Sequence, residues 1–132
     1  MNNTQPSVRG SARVNLAFTQ AGEDAARRLQ SRFDLPSLVE VGRIGVAFAL
    51  RENLPIERPE TFGTTSGANY NVGSVDPQSE LKNLLTAIRP DAQDDAYRVI
   101  ETLMTVGTIA IDREVSLGRI VSLRDLVDPG RI

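Results

Sequence analysis

Hydrophobic and polar positions alternate over residues 13–18. Val14, Leu16 and Phe18 interleave with Arg13, Asn15 and Ala17, and this period of two predicts a short strand. Past Thr19 the spacing lengthens: Ala25, Ala26 and Leu29 fall at helical intervals, which predicts a helix running to Phe33. Thr19 is placed to cap it, and Glu23 and Asp24 lie in its first turn, where the positive end of the helix dipole favours carboxylates. Gly22 is the weak point of this helix, because glycine loses the most backbone freedom on folding. Pro36 in "FDLPS" then breaks it, disfavouring helical geometry at Leu35 and being itself suited to open the next helix.

That second helix, over 36–53, carries its polar residues Glu40, Arg43 and Arg51 in one narrow stripe together with Ala47. Leu38, Val39, Val41, Ile44, Val46, Phe48, Ala49 and Leu50 cover most of the remaining circumference. A surface helix needs an apolar arc of only about 100°, so this one must be largely buried. Either a second copy of the chain covers it or the C-terminal half wraps it. The first possibility predicts a homo-oligomer with Val41, Gly42, Arg43, Gly45 and Phe48 at its interface, the glycines admitting a close backbone.

Residues 55–75 are turn-rich and read as a long loop docked by Phe62, Tyr70 and Val72. "VDPQSELKNLLTAIRP" predicts a helix capped by Asp76, with Pro77 in its first turn and Pro90 as its stop. A longer helix follows over about 92–115, then a short one over 122–127 capped by Ser122. Residues 1–12, polar with Pro6 and Gly10, read as a flexible arm. The fold class expected is therefore mainly α. A single helical domain over 13–132 combines a strand-helix-helix unit (13–54), a loop (55–75) and a helical C-terminal part (76–128).

Composition narrows the chemistry. The chain has no cysteine and no histidine, and Lys82 is its sole lysine. Thiol nucleophiles, thiolate metal sites and imidazole acid–base catalysis are thus excluded, and the expectation is no enzyme, no metal and no cofactor. The longest apolar run, "IGVAFAL", is far short of the roughly 20 residues that span a bilayer, and the first residues show no hydrophobic signal core, so a cytoplasmic address is expected. The net charge of −2 conceals an asymmetry: residues 1–58 hold eight arginines against six acids, whereas the remainder is acidic.

A strand followed by two helices, with no partner strand close in sequence, is the ribbon-helix-helix arrangement. There the strand pairs with the same strand of a second chain, Val14, Leu16 and Phe18 seal the dimer core, and the other face enters the DNA major groove. Arg13 and Asn15 then have side chains suited to guanine and adenine edges, and the second helix's N-terminus at Ser37 offers backbone N–H groups to a phosphate. Arg27, Arg28 and Arg32 lie beside the apolar face of the first helix, with Arg28 and Arg32 one turn apart, and could hold further phosphates. The plainer possibilities are an edge strand packed on the helices and arginines that pair with nearby acids on a solvated face. Arg43, on the polar stripe of a buried helix, reads as the partner of Glu40 or of a carboxylate from the C-terminal half.

Residues 29–52, "LQSRFDLPSLVEVGRIGVAFALRE", resemble the E subunit of the bacterial DNA phosphorothioation system. The likeness lies in Leu29, Arg32, Leu35, Val41, Arg43 and the small apolar run "GVAFAL". It extends to "AYRVIETLMTVGTIAI" around Gly107 and to "SLRDLV". The resemblance implies a ribbon-helix-helix-like subunit, assembled as a tetramer, that binds duplex or nicked DNA beside the subunits that exchange a backbone oxygen for sulfur. Two other functions fit the residues: an adaptor that organises partner proteins without touching DNA, and a stand-alone ribbon-helix-helix repressor or antitoxin.

Overall fold

A computed structural model describes residues 15–57 and 59–127. The chain is mainly helical, with one two-stranded sheet. In order, β1 (Asn15–Ala17) leads into α1 (Gln20–Phe33) and α2 (Leu38–Arg51). A 3-10 turn (Glu60–Phe62), β2 (Asn69–Asn71) and the single-turn α3 (Val72–Val75) come next. The chain continues through α4 (Glu80–Ile88), a second 3-10 segment (Pro90–Asp95), α5 (Ala96–Ser116) and α6 (Arg124–Val127). No helix among the described residues is long and apolar enough to cross a membrane.

Local chemistry sets the helix ends. Thr19 Oγ1 accepts from the Gly22 N–H at 3.0 Å, and Ser37 Oγ accepts from the Glu40 N–H at 3.2 Å, so α2 opens on Ser37, one residue after Pro36. Asp34 closes α1 in the left-handed region (φ 55°), its N–H returning to the Gln30 carbonyl. Asp76, buried, accepts from the Leu81 and Lys82 N–H groups at 2.9 and 3.1 Å. It thereby caps α4 from outside the helix, which begins at Glu80 rather than at Pro77. Its second oxygen also receives the Tyr97 hydroxyl at 3.0 Å and ties α4 to α5.

The 21-residue α5 is the scaffold on which α1 and α2 lie, with its largest contact to α2. At the α2–α5 crossing the two backbones touch. A Cβ added at Gly107 would stand 1.8 Å from the Gly45 carbonyl oxygen, and one at Gly45 would stand 3.0 Å from the Thr108 amide nitrogen. Gly22 serves the same end against α1: its missing side chain admits Thr105 Oγ1, which a Cβ would approach to 2.6 Å and which accepts the Thr19 N–H at 3.0 Å. The glycine that weakens α1 in isolation is required by the packing of that helix. Thr108, fully buried against Gly45, has a hydroxyl without a hydrogen-bond partner among the described residues.

Two expectations are corrected. First, β1 is not left to pair with another chain. It forms an antiparallel ladder with β2, Leu16 opposite Tyr70, inside the segment expected to be loop. The Glu101 carboxylate pins the other side of β1 by accepting the Ala17 N–H at 2.9 Å. Second, the apolar girth of α2 is covered by the C-terminal half rather than by a second copy. Leu16, Phe18, Val41, Gly42 and Gly45, expected at an oligomer interface, are all buried within the chain. Arg43 reaches Glu80 of α4 at 3.7 Å, Phe48 is half-buried, and Val14 lies outside the described residues. What α2 leaves to solvent is the stripe through Glu40, Arg43, Ile44, Ala47 and Arg51.

The crossing makes a stability prediction. Gly107→Ala must drive α2 and α5 apart and should cost about 3 kcal/mol, at the upper end of core overpacking. Gly73→Ala, whose Cβ would meet only Asn71 Oδ1 at 3.4 Å, should be close to neutral. Urea denaturation of the two variants beside the parent checks both.

Candidate nucleic-acid interface

Because Ala25, Ala26 and Leu29 turn inward onto α5, the helical period forces Arg27, Arg28 and Arg32 outward on α1. The Arg27 side chain is 60% exposed and bonds Glu23 one turn back at 2.7 Å. Arg28, 62% exposed, reaches across to Asp112 on α5, placing Nε at 3.1 Å and an Nη at 2.8 Å from one carboxylate oxygen. That bond raises the Arg28 pKa further above its already high value, so its charge is permanent. Arg32 has no ion pair among the described residues and lies 5.8 Å over the Phe33 ring.

Glu23 and Asp112 are only 14% and 16% exposed, so each pair is anchored on a mostly buried carboxylate while its guanidinium faces solvent. The carboxylates therefore orient the guanidinium groups without neutralising their use by another anion. Arg28 employs two of its five N–H donors on Asp112, and the others remain free to meet phosphate oxygens. Ser37 follows across the short α1–α2 turn, half-buried, its hydroxyl committed to the Glu40 N–H.

The residues expected to read base edges are placed differently. Arg13 lies outside the described residues. Asn15 is exposed at the start of β1, directly opposite Asn71, while its backbone carbonyl accepts from Arg98 at 3.1 Å. The structure thus joins Asn15 to two residues missed in the sequence, Asn69 and Asn71, both exposed on β2. Asn71 is partly committed, since its side chain accepts from the Ser74 N–H at 2.9 Å and caps α3. Asp112 was likewise invisible, lying 84 residues from the arginine it holds.

Glu23 fastens the ribbon to the basic helix. One oxygen takes Arg27, and the other accepts the Ala68 N–H at 2.6 Å, just before β2. These two bonds, the Arg27 contact first, hold the Glu23 carboxyl below its ordinary pKa of 4.5. A carboxylate depressed in the folded state stabilises fully above its unfolded pKa and loses that effect as pH falls through the folded value. Glu23→Gln should therefore unfold at lower denaturant than the parent at neutral pH, by about 1–3 kcal/mol for hydrogen bonds to a charged group. The gap should close progressively below pH 4.5, as read by urea melts across a pH series.

Comparisons with protein-family models, with curated proteins and with solved structures return no match. The reading of this face rests on its residues and their geometry.

Proposed function

We propose that the chain is a non-catalytic, homo-oligomeric DNA-binding subunit that works beside the enzymes of a DNA sulfur-modification system. The outer face of α1 lies along the phosphate backbone. The observation that carries this is the placement of Arg27, Arg28 and Arg32 on the solvent-facing side of α1, two of them exposed guanidinium groups each paired with one carboxylate and the third with none among the described residues. The resemblance of residues 29–52 to the E subunit of the phosphorothioation system gives the setting, and with it the expectation of duplex or nicked DNA as ligand. In this reading the ribbon is intramolecular: β1 and β2 pair within the chain, Asn69 following the Ala68 that Glu23 ties to the basic helix, where a ribbon-helix-helix dimer would use two identical strands.

A second reading, an adaptor that gathers partner proteins, is favoured by apolar side chains left on the surface. Leu117 is 53% and Val121 63% exposed, and a cleft of about 480 Å³ is lined by apolar Phe48, Leu54, Ala110 and Ile120 together with Arg51, Glu52 and Glu114.

Fluorescence anisotropy with intact and nicked duplexes across a salt series separates the two. A phosphate-contacting protein releases counterions, so its affinity falls steeply with salt, by about 0.9 in log–log slope for each contact. The triple variant Arg27→Ala/Arg28→Ala/Arg32→Ala should bind more weakly and lose about two to three units of slope while keeping its fold. Salt-insensitive or absent DNA binding by the parent favours the adaptor, and a triple variant that binds like the parent removes α1 as the contact surface.

A further inference from the structure

Burial inside the chain leaves α2 a single open seam, and its residues fall at a telling spacing. Glu40, Ile44, Ala47 and Arg51 are separated by four, three and four positions, the interval of the core positions in a coiled coil. The seam is also complementary to itself. When two copies of a helix pack antiparallel about a twofold axis, each position faces the one equally far on the other side of that axis. An axis between residues 45 and 46 sets Ile44 against Ala47 of the second copy, twice, at the centre. Glu40 meets Arg51 of the second copy at both ends, and Arg43 lies across from Phe48.

Further observations fit a second copy. Glu40 has no ion-pair partner among the described residues, although it is only half-exposed. Arg51, stacked 5.3 Å over the Phe48 ring, bonds Glu52 at 2.9 Å and the Leu126 carbonyl, yet as a five-donor group it retains N–H bonds for another carboxylate. Ala47, an exposed small residue in the middle of the helix, gives a facing helix close approach. Beside it a dent of about 200 Å³, almost wholly apolar and lined by Ile44, Ala47, Phe48, Arg51 and Leu126, has room for one aliphatic side chain. On α4, tied to the seam by the Arg43–Glu80 pair, the apolar Leu84 and Ile88 stand 42% and 44% exposed and extend the surface beyond one helix.

We infer that two copies of this chain pair through α2, antiparallel, with Ile44 of each entering the dent beside Ala47 of the other and Glu40 bonding Arg51 across the axis. This rests on the homo-oligomeric part of the reading above and fixes its surface and register; it is independent of DNA. The occupant is a second copy rather than an unrelated protein because the charges that must be met, one acidic end and one basic end, are those the seam itself supplies.

The test is solution mass by light scattering and sedimentation over a concentration series, with four variants of the full chain. Ala47→Arg changes an exposed helical position, so it should fold normally, with the parent's far-ultraviolet dichroism, and run as a monomer. Glu40→Arg and Arg51→Glu should each weaken self-association by about tenfold or more, through like charges brought face to face. The double variant Glu40→Arg/Arg51→Glu should recover most of the loss. A parent that stays monomeric throughout, a dimer indifferent to Ala47→Arg, or a double variant no better than the singles overturns the proposal. DNA anisotropy on the same samples keeps the two readings apart: a monomer that still binds DNA refutes the seam alone, and a dimer that binds none refutes the α1 surface alone.

Discussion

The contact on which the rest of the molecule depends is the crossing of α2 and α5 at Gly45 and Gly107, where no side chain separates the helices. A helix that is apolar around most of its girth must find cover. Here α5 supplies that cover at backbone distance, with Val41, Val46 and Ala49 of α2 in the same core as Leu103, Met104 and Ile111. The same α5 meets α1 through Thr105, whose hydroxyl fills the space left by Gly22. Both N-terminal helices are thus positioned by short, stiff contacts. The long flexible side chains, mostly arginines and carboxylates, are displaced to the outside.

Much of the fold was legible because its signals are local. The cap at Thr19 and the apolar faces of α1, α4 and α5 follow from spacing and turn chemistry within a few residues, whereas the cap at Ser37, one residue past the proline expected to open α2, and the αL residue at Asp34 emerge only in the structure. The polar stripe of α2 is legible as well, except that the apolar Ile44 also lies on it. What periodicity could not supply was the identity of the cover, since an apolar surface is satisfied equally by another copy or by a segment 60 residues downstream. β2 escaped for a different reason. Its residues, "NYN", are two asparagines around one tyrosine, and asparagine is depleted in strands, so nothing in the segment carries a strand's pattern. It is a strand because its neighbours hold it: Phe18 exchanges backbone bonds with Ala68 and Gly67, and Glu23 takes the Ala68 N–H. Of the candidate surface, the three arginines were legible from helical period alone. Their carboxylate partner Asp112 and the asparagines of the ribbon depend on contacts that only the tertiary fold creates.

The charges sort by burial. Glu101 and Asp76, nearly inaccessible, are engaged by one and two backbone N–H groups respectively and by one side chain each, Arg98 for Glu101 and Tyr97 for Asp76. A buried carboxylate is costly unless its oxygens are met, and both are met by the elements they join, β1 to α5 and α3 to α4. They stabilise the fold and offer little to a ligand. The arginines of α1 are the opposite case. Their guanidinium groups face solvent, two of them paired with a carboxylate and Arg32 with none among the described residues, and their remaining N–H donors are open to another anion.

This division has a geometric consequence. The basic face lies on α1 and the open seam on α2, consecutive helices joined by a four-residue turn and both resting on α5. Their relative angle is set at two points of near-backbone contact, Gly22 with Thr105 and Gly45 with Thr108, which are three residues apart on α5, one turn of the helix. Long side chains at such contacts could repack and let the helices swivel; glycine against a β-branched threonine leaves no comparable freedom. A polyanion on α1 and a second copy on α2 would therefore be held in a fixed relation by one turn of α5. A methyl group added at Gly22 would shift the α1 surface and one added at Gly45 the α2 surface, each changing the relation between the two without touching either.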